Sequence, residues 1–121
     1  MEQRRLGNSD LYSSAIGFGT WEMSTTKYGA IDIGEASKAV QLAIDYGITL
    51  FDTAEAYGPN HSEVLLGKAL GERRKDIVLV SKVGLRYDKD GNNIGRNSRF
   101  DYITSRAEGC LNRLGTDFLD L

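Results

Sequence analysis

The sequence predicts an α/β protein in which a strand–helix unit is repeated about three times and is followed by a fourth strand. Two observations support this fold class. Short apolar runs alternate with segments of helical periodicity, and each helical segment is followed by a glycine. Two architectures use such units, the doubly wound sheet and the (β/α)8 barrel, and the alternation by itself fits both.

The predicted strands are short segments rich in Ile, Val, Leu and Phe, as expected of strands that a parallel sheet buries on both faces. They span residues 48–52, 77–82 and 118–121, with a weaker candidate at residues 15–20. A β-hairpin over residues 4–13 precedes these strands, because a run of turn-forming residues separates two apolar positions there.

The predicted helices lie between the strands, where apolar residues recur with the spacing that forms one stripe along a helix. The first stripe contains Ala36, Ala39, Val40, Ala43 and Ile44, and the last contains Ile103, Ala107, Cys110, Leu111 and Leu114. A shorter helix is predicted over residues 62–70. Gly47, Gly71 and Gly115 follow the three helices and suit the left-handed conformation that ends many helices.

Two further local signals precede the last helix. Ser98, with Asp101 three positions later, predicts a capping box at the start of that helix. Residues 84–99, which include Gly91, Asn92 and Asn93, predict a long polar loop, and loops of this length are usually functional lids or mobile segments.

Composition and charge exclude several classes of protein. The chain has 121 residues, of which 40% are hydrophobic and 26% charged, as in a soluble globular domain. A net charge of −2 gives no basic surface for nucleic acid or an anionic membrane.

The N-terminus has no apolar signal-peptide core, and the longest apolar run is far short of the roughly 20 residues that span a bilayer. The single cysteine, Cys110, excludes an internal disulfide, so we expect the cytoplasm.

Ionisable side chains end two of the predicted strands. Asp52 and Lys82 each follow an apolar run, and a parallel sheet brings the carboxyl ends of its strands to one edge, where active sites are built. Neighbouring strands lie about 4.8 Å apart, so the two side chains can pair if their strands are adjacent. Tyr57, on the following turn, can fold back over this pair. An ammonium group favours a nearby phenolate, and a phenol tuned in this way can protonate a developing alkoxide. The alternative is a structural ion pair.

Several motifs together resemble those of the aldo-keto reductase family, and the similarity extends from Arg5 to Leu121. They are residues 17–21, 47–54, 57–58, 62–63, 66–67 and 80–82. This resemblance implies half of a (β/α)8 TIM barrel and an NADPH-dependent enzyme that reduces aldehydes or ketones. In the family, a histidine at the end of the fourth strand completes the catalytic set. Here residues 118–121 form that strand and end the sequence, so we expect a truncated half barrel of doubtful activity by itself.

The same resemblance assigns roles to individual residues. Tyr57 would donate the proton, Lys82 would tune it, and Asp52 would hold the lysine. The residues expected to line the cofactor and substrate pocket are Gly19, Thr20, Trp21 and Asp52. No metal site is predicted. Outside this set, the only histidine, His61, is expected to be solvated and Cys110 to be a core residue.

Two functional hypotheses follow from this sequence. The first is an NADPH-dependent carbonyl reductase, either active in this chain or completed by a partner. The second is a non-catalytic half-barrel module. Half a barrel leaves strand edges and an apolar inner face uncovered, and such surfaces promote association. We therefore expect a homo-oligomer that forms through the open face.

Overall fold

A computed structural model describes residues 1–24, 29–58, 61–90 and 92–121. Within these residues the strands are β1 (Gln3–Arg5), β2 (Tyr12–Ser14), β3 (Gly17–Gly19), β4 (Leu50–Asp52), β5 (Val78–Val80), β6 (Leu85–Tyr87) and β7 (Asn93–Arg96). The helices are α1 (Ile33–Asp45), α2 (His61–Leu70) and α3 (Phe100–Leu114), with 3₁₀ turns at Trp21–Met23 and Gly71–Asp76. The order of elements confirms the predicted α/β class.

A parallel sheet of β3, β4 and β5, in sequence order, forms the centre of the fold. Phe18 pairs with Phe51, and Phe51 pairs with Leu79. Phe51 and Leu79 are fully buried in the core, and the Phe18 and Phe51 ring centroids are 5.4 Å apart. The helices pack against this face. The described residues therefore form an open part of a (β/α)8 barrel rather than a closed one.

The helices bury part of each predicted apolar stripe and end near the predicted glycines. The buried residues of α1 are Val40, Ala43 and Ile44, and those of α3 are Cys110 and Leu114, whereas Ala39 is exposed. The Asp32 side chain caps α1 by accepting a hydrogen bond from the Glu35 amide, and Gly47 follows that helix with a φ of 83°. α2 packs against both α1 and α3. A Cβ at Gly67 would lie 2.4 Å from the carbonyl oxygen of Leu114, so the contact between α2 and α3 requires glycine. No helix within the described ranges is long and apolar enough to cross a membrane.

The N-terminal hairpin, β1 and β2, closes the amino end of the sheet. The Ser14 hydroxyl accepts a hydrogen bond from the Thr49 amide at 2.8 Å, and the Ser14 amide donates to the Thr49 hydroxyl at 2.8 Å. Both serines of β2, Ser13 and Ser14, are buried. The predicted hairpin is confirmed. It leaves uncovered the opposite end of the sheet, where the carboxyl ends of β3, β4 and β5 lie, and we call this end the open carboxyl edge.

The fourth predicted strand, residues 118–121, is extended along β5 but is not a regular strand. The Asp120 amide donates to the Leu79 carbonyl at 3.1 Å, and the Ser81 amide donates to the Leu121 carbonyl at 3.2 Å. The Leu79 amide, however, donates to the Asp120 carboxylate at 2.8 Å. A side chain thus accepts a hydrogen bond that a partner strand's backbone would otherwise accept.

Arg74 fixes this extended segment. Its guanidinium donates to the Asp120 carboxylate and to the Phe118 carbonyl, both at 2.9 Å, and lies 4.0 Å from the centroid of the Phe118 ring. The Arg74–Asp120 pair is largely buried. Residues 118–121 are consequently held beside β5 by side chains as well as by backbone hydrogen bonds.

The capping box predicted from Ser98 and Asp101 is wrong. α3 begins at Phe100 with Arg99 as its N-cap, and no side chain hydrogen bonds to that cap. The helix starts one residue later than the pattern requires, so Ser98 lies outside it. The Asn97 side chain instead accepts a hydrogen bond from the Arg99 amide at 3.0 Å, in the turn before the helix.

The prediction of a long polar loop over residues 84–99 is also corrected, because β6 and β7 pair there as an antiparallel hairpin. Gly91, which the predicted loop includes, lies outside the described residues. The Tyr102 hydroxyl of α3 donates to the Leu85 carbonyl at 2.9 Å and joins the hairpin to the helix. This hairpin is largely exposed, so it lacks the apolar alternation by which a buried strand is recognised.

Candidate active site

Three predicted side chains converge at the open carboxyl edge of the sheet. Asp52 ends β4, and Lys82 lies just beyond the end of β5. The Lys82 ammonium is 2.6 Å from the Asp52 carboxylate and 3.3 Å from the Tyr57 phenol oxygen. It also donates to the Thr53 carbonyl at 2.9 Å. The structure therefore brings together the acid, the amine and the phenol that the sequence places on separate segments.

The turn after β4 carries Tyr57 to this position. The Tyr57 amide donates to the Ala54 carbonyl at 3.0 Å, and the Glu55 amide donates to the Lys82 carbonyl at 3.1 Å. Gly58 follows with a φ of 65°, and a Cβ there would lie 3.0 Å from the Ser24 Cα atom. Glycine is thus required for its backbone conformation and for the close approach of the Ser24 segment.

Water reaches this site. The Lys82 and Asp52 side chains are 49% and 40% exposed. Partial burial disfavours the charged lysine, but hydrogen bonds with Asp52 and Tyr57 outweigh that effect, and the pKa of Lys82 is raised above its ordinary value. The lysine is consequently a cation at neutral pH, within hydrogen-bond distance of a phenol that can exchange a proton with a bound molecule.

The predicted pocket residues lie beside this group. The indole ring of Trp21 is stacked near the Tyr57 ring, with centroids 6.3 Å apart, and Trp21 is 45% exposed. Gly19 pairs with Asp52 across the sheet, and a Cβ at Gly19 would meet no atom within 4 Å. An open surface is therefore bordered by Gly19 and Trp21 on one side and by the Asp52–Lys82 pair on the other.

Thr20 has a different place in the structure. Its side chain is fully buried, and both its amide and its hydroxyl donate to the Asp52 carbonyl, at 3.0 and 3.2 Å. The Ser62 hydroxyl of α2 in turn donates to the Thr20 carbonyl at 3.1 Å. Thr20 thus supports the backbone of Asp52 from behind and does not present its side chain at the surface of the site.

Two reactive residue types lie outside this group of contacts. Cys110 is fully buried, and burial, followed by the Glu63 carboxylate, raises the pKa of its thiol to about 11. That environment keeps the thiol protonated and confirms Cys110 as a core residue. His61 begins α2 and is partly exposed.

Sequence analysis missed a set of buried charges behind the site, which we call the α3 charge cluster. It consists of Glu55, Glu63, Arg106 and Arg113. Both glutamates are buried, and the two arginines come from α3. Arg106 lies four residues before Cys110, and Arg113 lies three residues after it. Both arginines therefore share a face of α3 with the apolar stripe that contains Cys110. Charges on an otherwise apolar stripe are the sequence signal for buried partners.

Comparison with known proteins identifies a family for most of the chain. Residues 15–121 match the model of the Aldo/keto reductase family. The chain is 37% identical over 123 residues to the aldo-keto reductase YhdN of Bacillus subtilis, covering 100% of this chain and 37% of that protein. It therefore spans well under half the length of this curated relative.

Two solved structures show the same relationship. The holo form of aldo-keto reductase AKR11C1 from Bacillus halodurans superposes with a TM-score of 0.88 at 34% identity, over 98% of this chain and 38% of that one. An aldo/keto reductase from Klebsiella pneumoniae in complex with NADP and acetate has a TM-score of 0.69 at 32% identity, over 90% of this chain and 34% of that one. The fold and the order of elements are shared with these enzymes.

Proposed function

Because the chain belongs to the aldo/keto reductase family, we propose that it supplies the proton-donating group of an oxidoreductase that reduces aldehydes or ketones with NADPH. The observation that supports this most strongly is the position of one cation, since the Lys82 ammonium contacts both the Asp52 carboxylate and the Tyr57 phenol. A structural ion pair would need no phenol at hydrogen-bond distance from the lysine.

Each of the three residues has a distinct part in this proposal. Tyr57 donates its phenol proton to the carbonyl oxygen of the substrate as negative charge develops there. Lys82 stabilises the phenolate that remains, because a fixed positive charge beside a forming anion needs no rearrangement during the reaction. Asp52 keeps the ammonium oriented toward the phenol and protonated.

The open surface beside these residues fits a planar nicotinamide. Gly19 leaves room for a ring to approach the strand, and Trp21 offers an exposed aromatic wall close to Tyr57. NADPH would supply the hydride that is added to the carbonyl carbon. We propose that Gly19, Trp21 and Asp52 border the cofactor and substrate, and that Thr20 supports Asp52. The relatives that bind NADP in solved structures support this choice of cofactor.

The proposal is tested by titrating the full 121-residue chain into NADPH and following cofactor fluorescence, with carbonyl turnover measured in parallel. We expect saturable binding, and we expect Tyr57→Phe to reduce turnover by roughly 100-fold or more, since that is the usual contribution of a general acid. Tyr46→Phe is the matched control, because Tyr46 is a highly exposed tyrosine at the end of α1. Absence of NADPH binding, or equal turnover in the two variants, would reject the proposal.

A second candidate is a module that associates with itself through the open face of the sheet. Within the described residues β3 pairs with β4 only, so its other edge is available. Leu50 and Val80, on the face opposite the helices, are partly exposed. Light scattering across a range of concentrations distinguishes the candidates, because a monodisperse monomer is incompatible with this module.

We also propose a cytoplasmic location for the enzyme. The only thiol of the chain, that of Cys110, is free and buried in the core. A reducing compartment suits a protein whose single cysteine takes part in packing.

A further inference from the structure

The α3 charge cluster connects the two segments that carry Tyr57 and Lys82. The Arg113 guanidinium is 2.6 Å from the Glu63 carboxylate through its Nε atom and 3.4 Å from the Glu55 carboxylate through a terminal nitrogen. Arg106 forms a second ion pair with the same oxygen atom of Glu55. One arginine of α3 is therefore shared between two glutamates from different segments.

Each glutamate is connected to one of the groups at the open edge. Glu55 lies on the turn that carries Tyr57, and its amide donates to the Lys82 carbonyl. Glu63 accepts a hydrogen bond at 2.6 Å from the hydroxyl of Ser81, the residue that precedes Lys82. Arg113 thus connects the turn that holds the phenol to the strand end that holds the ammonium.

The burial of these charges calls for an explanation beyond stability. The side chains of Glu55 and Glu63 are 3% and 0% exposed. Desolvation offsets much of the attraction in buried ion pairs, so apolar residues of similar volume often stabilise a protein as well. What apolar packing lacks is the directionality of several hydrogen bonds that converge on fixed atoms.

We propose that Arg113 and Glu55 are positioning residues that set the distance between the Tyr57 phenol and the Lys82 ammonium. This inference rests on the proposed function, because it assigns α3 a part in proton transfer although neither residue touches the reacting atoms. Displacing a catalytic group by about 1 Å can lower the rate about 100-fold. Replacing either residue should therefore reduce kcat and leave the KM for the carbonyl substrate nearly unchanged.

The test measures the geometry directly and does not depend on turnover. In the full chain, nuclear Overhauser effects between the Lys82 side chain and the Tyr57 ring report their separation, and those between Trp21 and Tyr57 report the ring contact. The variants are Glu55→Gln and Arg113→Lys, since lysine keeps the charge but cannot contact two carboxylates in a fixed fork. The matched controls are Glu35→Gln and Arg73→Lys, which alter exposed ion pairs.

We expect both cluster variants to remain folded and to lose most of the Lys82–Tyr57 signal, while the controls keep it. If either variant unfolds, the folded one decides, and unfolding of both would overturn the proposal in favour of a purely structural cluster. Unchanged signals in folded variants would overturn it as well. The outcome is separate from that of the proposed function: a chain that fails to bind NADPH can still show the positioning effect, and an active chain can lack it.

Discussion

Two sets of ion pairs lie near the turn that follows β4, and their exposure to solvent differs sharply. The Lys82–Asp52 pair at the open edge is close to half exposed, whereas the Glu63 side chain in the α3 charge cluster is fully buried. Exposed pairs contribute little to stability, but a buried charge that loses its partner is costly. The comparison teaches that the groups open to a substrate and the groups whose removal would destabilise the fold are different ones, although both form salt bridges.

Removing the shared arginine should have the largest effect on stability. Arg113→Met leaves the fully buried Glu63 carboxylate without its cation, so we expect a loss of about 3–5 kcal/mol in the free energy of unfolding. Urea denaturation followed by circular dichroism measures this loss. The control, Arg73→Met, removes a surface cation that pairs with Asp45 and Asp76, and should have a much smaller effect because exposed ion pairs contribute little to stability. Equal losses in the two variants would remove the contrast between buried and exposed pairs.

Alkaline pH should lower the free energy of unfolding, because Cys110, a neighbour of the α3 charge cluster, loses its proton. Burial and the Glu63 carboxylate raise the pKa of Cys110 from 9.0 to about 11, so the folded chain holds the thiol proton more tightly than the unfolded chain does. The resulting stabilisation is complete below about pH 9 and is lost as the pH rises to about 11, a total of about 3 kcal/mol. Cys110→Ala should lack this part of the pH dependence, which denaturation at several pH values would reveal. A parallel decline in both proteins would contradict the assignment.

The smallest effect on stability is expected at the open edge. Lys82→Met should change the free energy of unfolding by less than about 1 kcal/mol, because its ion pair is close to half exposed. Since the pKa of Lys82 is raised, even this contribution is present below about pH 10.5 and disappears as the pH rises further. The same variant should nevertheless lose carbonyl turnover. Thermal unfolding and activity measured on one sample would test both statements, and a large drop in melting temperature would place Lys82 among the stabilising groups.

Much of this fold could be predicted because its strands and helices carry strong local patterns. β4 and β5 lie within predicted apolar runs, and the apolar residues that α1 and α3 bury belong to stripes predicted from helical spacing. The convergence of Asp52 and Lys82 followed from a general property of parallel sheets, whose carboxyl ends share one edge. These features depend on contacts between neighbours in sequence or on the regular geometry of the sheet.

Features that depend on particular side chains distant in sequence were harder to predict. The Glu63 partner, Arg113, is 50 residues away, and no periodic pattern connects the two. Hydropathy also assigns a glutamate to the surface, although Glu63 is fully buried. The irregular course of residues 118–121 has a similar origin, since it depends on a hydrogen bond between the Leu79 amide and the Asp120 carboxylate rather than on strand propensity.

The contact between Trp21 and Tyr57 has a practical consequence. Trp21 is the only tryptophan in the sequence, and its partly exposed ring lies beside the candidate proton donor. All indole emission from this chain consequently originates at a single place, next to the group whose chemistry is in question. The protein thus carries a built-in optical label, and a spectrometer can follow events at that place without any dye being attached.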